Sequence, residues 1–401
     1  MLTNKTMRIF FTFFIVCFFI INTAKAQKQT LFLDKGYNIA LQEAKIQKKP
    51  IVMMFYASWC AHCNKMKNET FIDSSVVNFY KKSFICVAVD AESSVGTELK
   101  SKFQNKFKVR SFPTFAFLDA NENLLYCTSG EFKTDAFITE GKNALVPENQ
   151  FLTLKDKFYA DVSNSDTCLK YITILRKAGF DATEATEKYL KTKSEQERFT
   201  ELNWRIVANG INNFESDEFK FIIKHKEAFA KVASPVRVEK KIVYLVSETF
   251  KNYAEKLDTL NFNKTKSVAK TFQIRKVDSL VFRYELLLAE QTNNWKEYQK
   301  TTVNNVEKFA WNDSNLLTEI VTVYLTAVND KIGLSNAVNW GKQAITISPS
   351  LDKYAVITKL LIKNKDYKQA LEFANKGKTM ATSYGWNAEE IDKLLIEIKK
   401  H

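Results

Sequence analysis

Apolar and polar positions alternate in two different ways along the chain, and the change falls near residue 147. Before this point, short apolar runs that predict strands alternate with longer amphipathic stretches that predict helices. The predicted strands are Pro50–Tyr56, Ser83–Asp90, Thr114–Asp119 and Asn123–Thr128. The predicted helices are Tyr37–Lys48, Cys63–Lys82, Thr97–Phe107 and Thr134–Asn143. This order predicts an α/β fold with a mixed central sheet and helices on both faces.

In the second part of the chain the strand pattern disappears, and helical patterns follow one another to the end. Polar residues typical of helix N-termini precede three of these stretches, at Asp181, Ser194 and Asn387, each with a glutamate three residues later. We therefore expect residues 147–401 to form an all-α domain. Residues 27–146 are then expected to fold as a separate α/β domain that is stable on its own.

A weak internal repeat lies near the C-terminus. Ala337 and Ala344 recur as Ala370 and Gly377, each 33 residues later. The segment Tyr354–Met380 resembles a tetratricopeptide-type helix pair, in which small residues let neighbouring helices approach closely. The resemblance covers two helix pairs at most, and an irregular helical bundle is the alternative.

The first 26 residues have the order of a secretory signal peptide. Two basic residues precede a nearly continuous apolar run over residues 9–21, and Ala24-Lys25-Ala26 supplies small residues before the cleavage site. A helix of this run is only about 20 Å long, shorter than the roughly 30 Å hydrocarbon core of a bilayer, which argues against a retained anchor. We expect a cleaved signal peptide, export to the periplasm and no stable membrane insertion.

Composition and charge exclude several classes of protein. The chain has 401 residues but only 10 Gly and 5 Pro, which excludes collagen-like, low-complexity and turn-rich all-β architectures. The formal net charge is +14, or +11 without Lys5, Arg8 and Lys25 of the signal peptide. Because the basic residues are scattered, we expect no nucleic-acid partner. A glycine-rich nucleotide fingerprint is also absent from the sequence, so we expect no cofactor.

The candidate chemistry is concentrated in Trp59-Cys60-Ala61-His62-Cys63, which follows a predicted strand and opens a predicted helix. Two thiols separated by two residues can close a disulfide when the second lies in the first helical turn. The unpaired N–H groups of a helix N-terminus favour a thiolate, and such motifs lower the pKa of the first thiol to roughly 3.5–7.5. We therefore assign Cys60 as the attacking thiolate and Cys63 as the thiol that resolves the mixed disulfide.

Two other interpretations of this motif are possible. Half of a zinc site would need two more ligands, but the sequence has no second CxxC motif, and neither His225 nor His401 belongs to a ligand-like pair. A static structural disulfide is the second alternative. A redox-active dithiol is the interpretation that we prefer, and we expect no metal.

Residues 37–132 resemble the thioredoxin superfamily. They are especially similar to its exported branch, which includes the C-terminal domain of the transmembrane thiol:disulfide interchange reductase. The matching residues are Ala40, Ala44, Lys48-Lys49-Pro50, Phe55-Tyr56-Ala57-Ser58-Trp59-Cys60, Met66, Glu69-Thr70-Phe71, Val89-Asp90 and Val109-Arg110-Ser111-Phe112-Pro113-Thr114.

The resemblance implies that Pro113 is a cis proline facing the disulfide and that Phe112 offers backbone groups to an extended substrate. A proline at the start of a strand removes no donor that the sheet needs, which agrees with this role. Trp59 precedes the first cysteine and His62 lies between the two cysteines, and both residues are expected to tune the redox site. An ordinary turn proline and a solvated histidine with little effect are the alternatives.

The chain departs from the family pattern at three positions. Met54 stands where most members keep a buried acid, and Cys86 stands where they keep its partner lysine. Loss of both members of a buried charge pair is electrostatically consistent, but it puts the family's proton relay in doubt. His62 replaces the proline of the reductase pattern, and an imidazole beside the thiolate makes the couple more oxidising.

Three further cysteines remain after residue 26. In the family's strand order, Cys86 and Cys127 lie on strands separated by two others, about 14 Å apart. Since a disulfide needs Cα atoms within about 7 Å, this pair should not bond. We expect Cys86 and Cys127 to be buried core thiols and Cys168 to pack in a helix.

Together these observations predict an exported thiol:disulfide oxidoreductase. Its partners would be cysteine-containing exported proteins and a protein that donates or accepts electrons. The alternative is a protein-interaction module in which helical repeats bind partners and the thioredoxin-like domain is mainly a scaffold. The direction of electron flow does not follow from the sequence.

Overall fold

The computed structural model of the protein describes residues 31–32 and 36–401, so the predicted signal peptide lies outside the described residues. Contacts divide the chain into two compact units, one ending at Ala233 and the other beginning at Ser234. The first unit contains α1 (Tyr37–Gln47), β1 (Ile51–Tyr56), α2 (Ala61–Asn68), α3 (Ser74–Ser83), β2 (Ile85–Asp90), α4 (Ser94–Phe103), β3 (Thr114–Leu118), β4 (Leu124–Ser129), α5 (Thr134–Leu145), a 3-10 turn (Pro147–Asn149), α6 (Phe151–Ala160), α7 (Ser165–Lys177), α8 (Thr183–Leu190), α9 (Glu195–Arg198), α10 (Glu201–Gly210), α11 (Asp217–Lys224) and α12 (Lys226–Ala233).

The four strands form one mixed sheet in the order β2-β1-β3-β4. β1 pairs in parallel with β2 and antiparallel with β3, which in turn pairs antiparallel with β4. All four strands lie where the sequence predicts them, and the mixed sheet confirms the predicted fold class. The hydrophobic side chains of the strands alternate between two apolar layers, as expected for a sheet covered on both faces.

Helices cover both faces of this sheet. On one face, Met53 and Phe55 of β1 belong to the same buried cluster as Tyr37 of α1 and Phe103 of α4. On the other face, the Phe137 ring of α5 lies 4.8 Å from the Phe115 ring of β3 and stacks on the Tyr80 ring of α3, with centroids 4.3 Å apart. This packing holds the end of β1 and the start of α2 in a fixed position.

The prediction of one helix over Cys63–Lys82 is wrong, because the structure has two helices there, α2 and α3. The break arises at Asp73, whose carboxylate accepts a hydrogen bond from the Ser75 N–H at 2.9 Å and starts a new helix. Of the three predicted N-terminal caps, Ser194 forms the full capping box with Glu197. The side chains of Asp181 and Asn387 instead accept from the N–H two residues later, as in an Asx turn.

Helices α6 and α7 are packed on the sheet. Ala178, at the end of α7, is fully buried in the apolar cluster that contains the strands, and Phe151 and Phe180 pack against the same cluster. The ammonium of Lys177 donates to the Glu140 carboxylate at 2.8 Å and also to the Tyr126 hydroxyl. The domain boundary at residues 146 and 147 stays a prediction, and the structure adds that side chains from beyond it complete the core of the α/β part.

The second unit is all-α among its described residues. Its helices are α13 (Pro235–Glu255), α14 (Thr259–Lys270), α15 (Arg275–Gln291), α16 (Trp295–Phe309), α17 (Ser314–Ala327), α18 (Lys331–Ile347), α19 (Leu351–Lys363), α20 (Tyr367–Tyr384) and α21 (Glu389–Ile398). Among the described residues, no helix combines the length and apolar character that a membrane-crossing segment needs.

Small residues do allow close helix contacts at the repeated positions. A Cβ placed on Gly377 would lie 3.0 Å from the Cβ of Tyr354 and 3.2 Å from Ile391. Ala337 and Ala370 are completely buried. These contacts agree with the expectation that small residues at the repeated positions let neighbouring helices approach closely. The tetratricopeptide-like character of the region stays a prediction.

Candidate active site

The two cysteines of the motif lie where β1 ends and α2 begins. Cys60 is the N-cap of α2, and its sulfur accepts a hydrogen bond from the Cys63 N–H at 3.2 Å. The two residues form a disulfide, with their Cα atoms 5.3 Å apart. Cys60 is 4% exposed and Cys63 is completely buried, so the sulfur that we assign as the nucleophile belongs to the more accessible residue.

The electrostatic surroundings of the disulfide favour a thiolate after reduction. The first turn of α2 contains no acidic residue, and the Cys63 N–H in that turn donates to the Cys60 sulfur. Met54 of β1 is completely buried, and its neighbours across the sheet are Ala88 and Phe115. Apolar residues therefore occupy the position where the resemblance implies a carboxyl group and both neighbouring positions in the sheet.

Trp59 is the exposed aromatic residue next to the disulfide, with 67% of its surface accessible. Its indole Nε1–H donates to both carboxylate oxygens of Glu92 at 3.0 Å. The ring also meets the Phe112 ring edge-to-face, with centroids 6.0 Å apart. These contacts hold the indole beside the site in spite of its exposure.

The Phe112–Pro113 peptide bond is cis, as the resemblance implies. Pro113 is buried and Phe112 is half-buried, directly before β3 begins. The Pro113 carbonyl accepts a hydrogen bond from the Gly130 N–H at 2.9 Å, and Gly130 has a φ of +108°, which favours glycine. Residues 108–113, which we call the proline segment, are thus joined to the loop that follows β4.

The loop after β4 also contacts α2. The Glu131 carboxylate lies 2.7 Å from Nδ1 of His62 and 2.6 Å from Nζ of Lys65. Hydrogen bonds from Lys65 and His62 hold the pKa of the Glu131 carboxyl below its ordinary value. The Phe132 N–H is hydrogen-bonded to the sulfur of Met66 at 3.4 Å. Through these contacts the loop connects the proline segment to the cysteine-bearing helix.

Two site residues, Glu92 and Glu131, are missed by the sequence argument. Glu92 is 33 positions from Trp59, and Glu131 is 69 positions from His62. No motif or spacing signals either contact. The structure brings together Trp59 and Phe112 directly, and it joins His62 to the proline segment through the loop after β4.

The remaining cysteines after residue 26 lie away from the disulfide. Cys86 and Cys127 are buried on the two edge strands, β2 and β4, with β1 and β3 between them, which confirms that they do not bond to each other. Burial raises the pKa of the Cys127 thiol to about 12, and it raises the pKa of the Cys168 thiol to about 12 as well.

These pKa values predict the pattern of alkylation. In the reduced folded protein at pH 8, iodoacetamide should modify Cys60 first, while Cys127 and Cys168 stay unmodified because they are buried and protonated. Peptide mass spectrometry of samples quenched over time gives the rate for each thiol. Addition of denaturant is the control, and it should make both buried thiols reactive. Fast modification of Cys127 or Cys168 in the folded protein would contradict the assignment.

Metal binding finds no support among the residues that the structure describes, which contain no group of three or more His, Cys, Asp or Glu side chains placed to hold an ion.

Comparison with known proteins places this site in a recognised domain. A family model described as a thioredoxin-like domain matches residues 37–144. A protein disulfide-isomerase of Datisca glomerata is 38% identical over 17% of this chain and 13% of its own length. The thiol:disulfide interchange protein DsbD of Pseudoalteromonas atlantica is 27% identical over 26% of this chain and 18% of its own length.

One solved structure, a thioredoxin from Thermus thermophilus, is 21% identical, with a TM-score of 0.26, over 29% of this chain and 88% of that one. The chain spans less than two thirds of the length of both curated relatives.

Proposed function

We propose that the thioredoxin-like domain of residues 37–144 is a thiol:disulfide oxidoreductase that exchanges disulfides with cysteine-containing exported proteins. The observation that carries the proposal is the Cys60–Cys63 disulfide at the N-terminus of α2. A static disulfide would not need a helix N-terminus beneath it or an exposed aromatic ring beside it.

The reaction follows from the positions of the two sulfurs. In the reducing direction, the Cys60 thiolate attacks one sulfur of a substrate disulfide, and the other substrate sulfur leaves as a thiolate that takes up a proton. The Cys63 thiol then loses its proton and attacks the Cys60 sulfur, which releases the second substrate thiol. Two electrons pass from the protein dithiol to the substrate, and a protein electron donor regenerates the dithiol. The oxidising direction is the reverse of these steps.

His62 is proposed to raise the reduction potential of the site. Its imidazole lies in the first turn of α2, where a positive charge stabilises the thiolate form. The Glu131 carboxylate contacts this imidazole and pairs with Lys65, so it offsets part of the positive charge of the Lys65 ammonium. We assign Phe112 and Pro113 to substrate binding, and we assign Trp59, whose exposed ring meets the Phe112 ring, to the tuning of the redox site.

Replacing His62 with proline is expected to lower the reduction potential by tens of millivolts, since about 30 mV corresponds to 1.4 kcal/mol for a two-electron couple. Titration against glutathione redox buffers measures the potential. The variant His62→Ala serves as the control, because it separates loss of the imidazole from the backbone effect of proline. An unchanged potential in both variants would leave His62 without a role in the redox chemistry.

We also propose a cellular location for the protein and a role for its helical residues 147–401. The order of residues 1–26 supports a cleaved signal peptide and a periplasmic protein. The helical residues 147–401 would hold partner proteins, because stacked helix pairs form extended surfaces suited to protein recognition.

The decisive test is reduction of insulin by the purified full chain, with dithiothreitol as the source of electrons. The proposal predicts precipitation of the insulin B chain well above the rate with dithiothreitol alone. A rate equal to that background would contradict the proposal. It would favour the alternative, in which the domain is a scaffold and the helical part binds partners.

A further inference from the structure

Helix α7 ends in a backbone arrangement that leaves two carbonyl groups pointing outward. The Phe180 N–H donates to the Leu175 carbonyl and the Gly179 N–H donates to the Arg176 carbonyl, both at 2.9 Å. Gly179 has a φ of +78°. These three features define a Schellman motif, which closes the helix with its own last carbonyls. The carbonyls of Ala178 and Gly179 are therefore available to groups outside the helix.

Both of these carbonyls accept hydrogen bonds from the segment that leads to the cis proline. The Lys108 N–H donates to the Ala178 carbonyl at 2.8 Å. The Arg110 Nε–H donates to the Gly179 carbonyl at 2.7 Å. The proline segment, residues 108–113, ends at Pro113, whose carbonyl accepts from the Gly130 N–H, and strand pairing begins with Thr114 in β3. The end of α7 provides hydrogen bonds that a neighbouring strand would otherwise supply.

Apolar packing joins the same two parts of the molecule. Ala178 is completely buried in the cluster formed by the sheet, α1 and α4, and Val109, Phe112 and Phe180 pack against that cluster. The Lys108 ammonium also lies 5.6 Å from the centre of the Phe180 ring. The proline segment is thus held from one side by the sheet and from the other by the end of α7.

We propose that the end of α7, residues 178–180, positions the proline segment for substrate binding, so that a helix from outside residues 37–144 forms part of the substrate site. This inference rests on the proposed function, in which Phe112 and Pro113 bind the substrate. Ala178 and Gly179 are positioning residues, since they act through the backbone of Lys108 and the side chain of Arg110.

Gly179 is the position at which this contact can be disturbed most selectively. A Cβ added there would lie 2.5 Å from the backbone oxygen of Lys108, and a contact that short forces the proline segment or α7 to move. Gly36 provides a matched control with the same φ of +78° and no atom within 4 Å of an added Cβ. Both alanine variants place a Cβ at a residue with positive φ, but only at Gly179 does the added Cβ collide with the proline segment.

The experiment compares two disulfide substrates in the full chain. Insulin is an extended protein substrate that has to lie against the proline segment, whereas 5,5′-dithiobis(2-nitrobenzoate) is a small disulfide that needs only access to Cys60. Because a displacement of about 1 Å in a positioning group can cost up to about 100-fold in rate, we expect Gly179→Ala to raise the KM for insulin at least about fivefold. The kcat for insulin, the rate with the small disulfide and the reduction potential should stay at the values of Gly36→Ala.

Arg110→Gln is the second variant, and it removes one of the two hydrogen bonds without steric strain. It should raise the KM for insulin in the same direction but less strongly, and Arg110→Lys should restore part of the loss. If Gly179→Ala does not fold, as judged by circular dichroism, this pair of variants decides the question.

A KM for insulin that is the same in Gly179→Ala and Gly36→Ala would overturn the inference. Equal losses with insulin and with the small disulfide would overturn it as well, because a general loss of structure affects both substrates. A wild-type chain that reduces neither substrate would refute the proposed function itself, which distinguishes the two failures.

Discussion

Replacing Cys60 with serine is expected to abolish disulfide exchange, whereas Cys63→Ser is expected to complete the first step and stop at the mixed disulfide. The serine hydroxyl is not ionised at neutral pH and cannot replace the thiolate that the N-terminus of α2 stabilises at Cys60. Cys63 has no exposed surface, so it can act only on a sulfur already delivered to Cys60. Insulin reduction measures the loss, and mass spectrometry under non-reducing conditions detects the trapped adduct.

The variant Cys168→Ala is the control for this pair. Cys168 is buried in α7, away from the motif, and its thiol has a pKa raised to about 12, so its removal should leave exchange unchanged. Faster alkylation of Cys63 than of Cys60 in the reduced protein would reverse the assignment of the two roles. Loss of exchange in Cys168→Ala would show that a third thiol takes part.

Shortening the chain to residues 27–146 is expected to destabilise the thioredoxin-like domain strongly. The cut removes Phe151, Ala178 and Phe180 from the apolar cluster around the sheet, together with the ion pair of Lys177 and Glu140. A loss of about 3 kcal/mol from a typical total of about 5–15 kcal/mol would lower the melting temperature by about 10 °C or more. Thermal unfolding followed by circular dichroism measures the difference from the matched control, residues 27–233.

The change of pattern near residue 147 predicts the opposite result, an independent domain that ends near residue 146. Equal melting temperatures for residues 27–146 and 27–233 would support that expectation and would show that α6 and α7 are attached to the domain without stabilising it. A lower melting temperature for residues 27–146 than for residues 27–233 would show that the folded domain extends beyond residue 146. The same samples test the redox site, because the small disulfide should still be reduced wherever the shorter chain is folded.

The sequence predicts those features that depend on local patterns. All four strands could be located because apolar runs bounded by charged residues or proline have few other interpretations. The cysteine motif at a strand-to-helix junction is equally local. The break between α2 and α3 was missed, since the amphipathic pattern continues across Asp73 and only the hydrogen bond of its side chain shows that a helix begins there.

Long-range contacts were beyond the sequence argument. The ion pairs of Glu131 and the hydrogen bond of Glu92 join loops that no repeat or spacing relates. The packing of α7 on the sheet was also missed, because a helix that covers a sheet and a helix in a separate bundle have the same amphipathic pattern. Gly179 was not singled out either, because a glycine after a helix is common and the sequence does not show which group it approaches.

Because Cys127 and Cys168 are buried in the folded protein, correct oxidation of the chain depends on the order in which the disulfide forms and the core folds. Before folding, every thiol is accessible and has an ordinary pKa, so wrong disulfides compete with the correct one. Cys60 and Cys63 are three residues apart, whereas every other pair among the five cysteines after residue 26 is separated by at least 23 residues. Closing the short loop costs less chain entropy, so the native disulfide forms soonest. Collapse of the core around the other thiols then makes them inaccessible to thiol–disulfide exchange. Folding itself therefore prevents the formation of wrong disulfides.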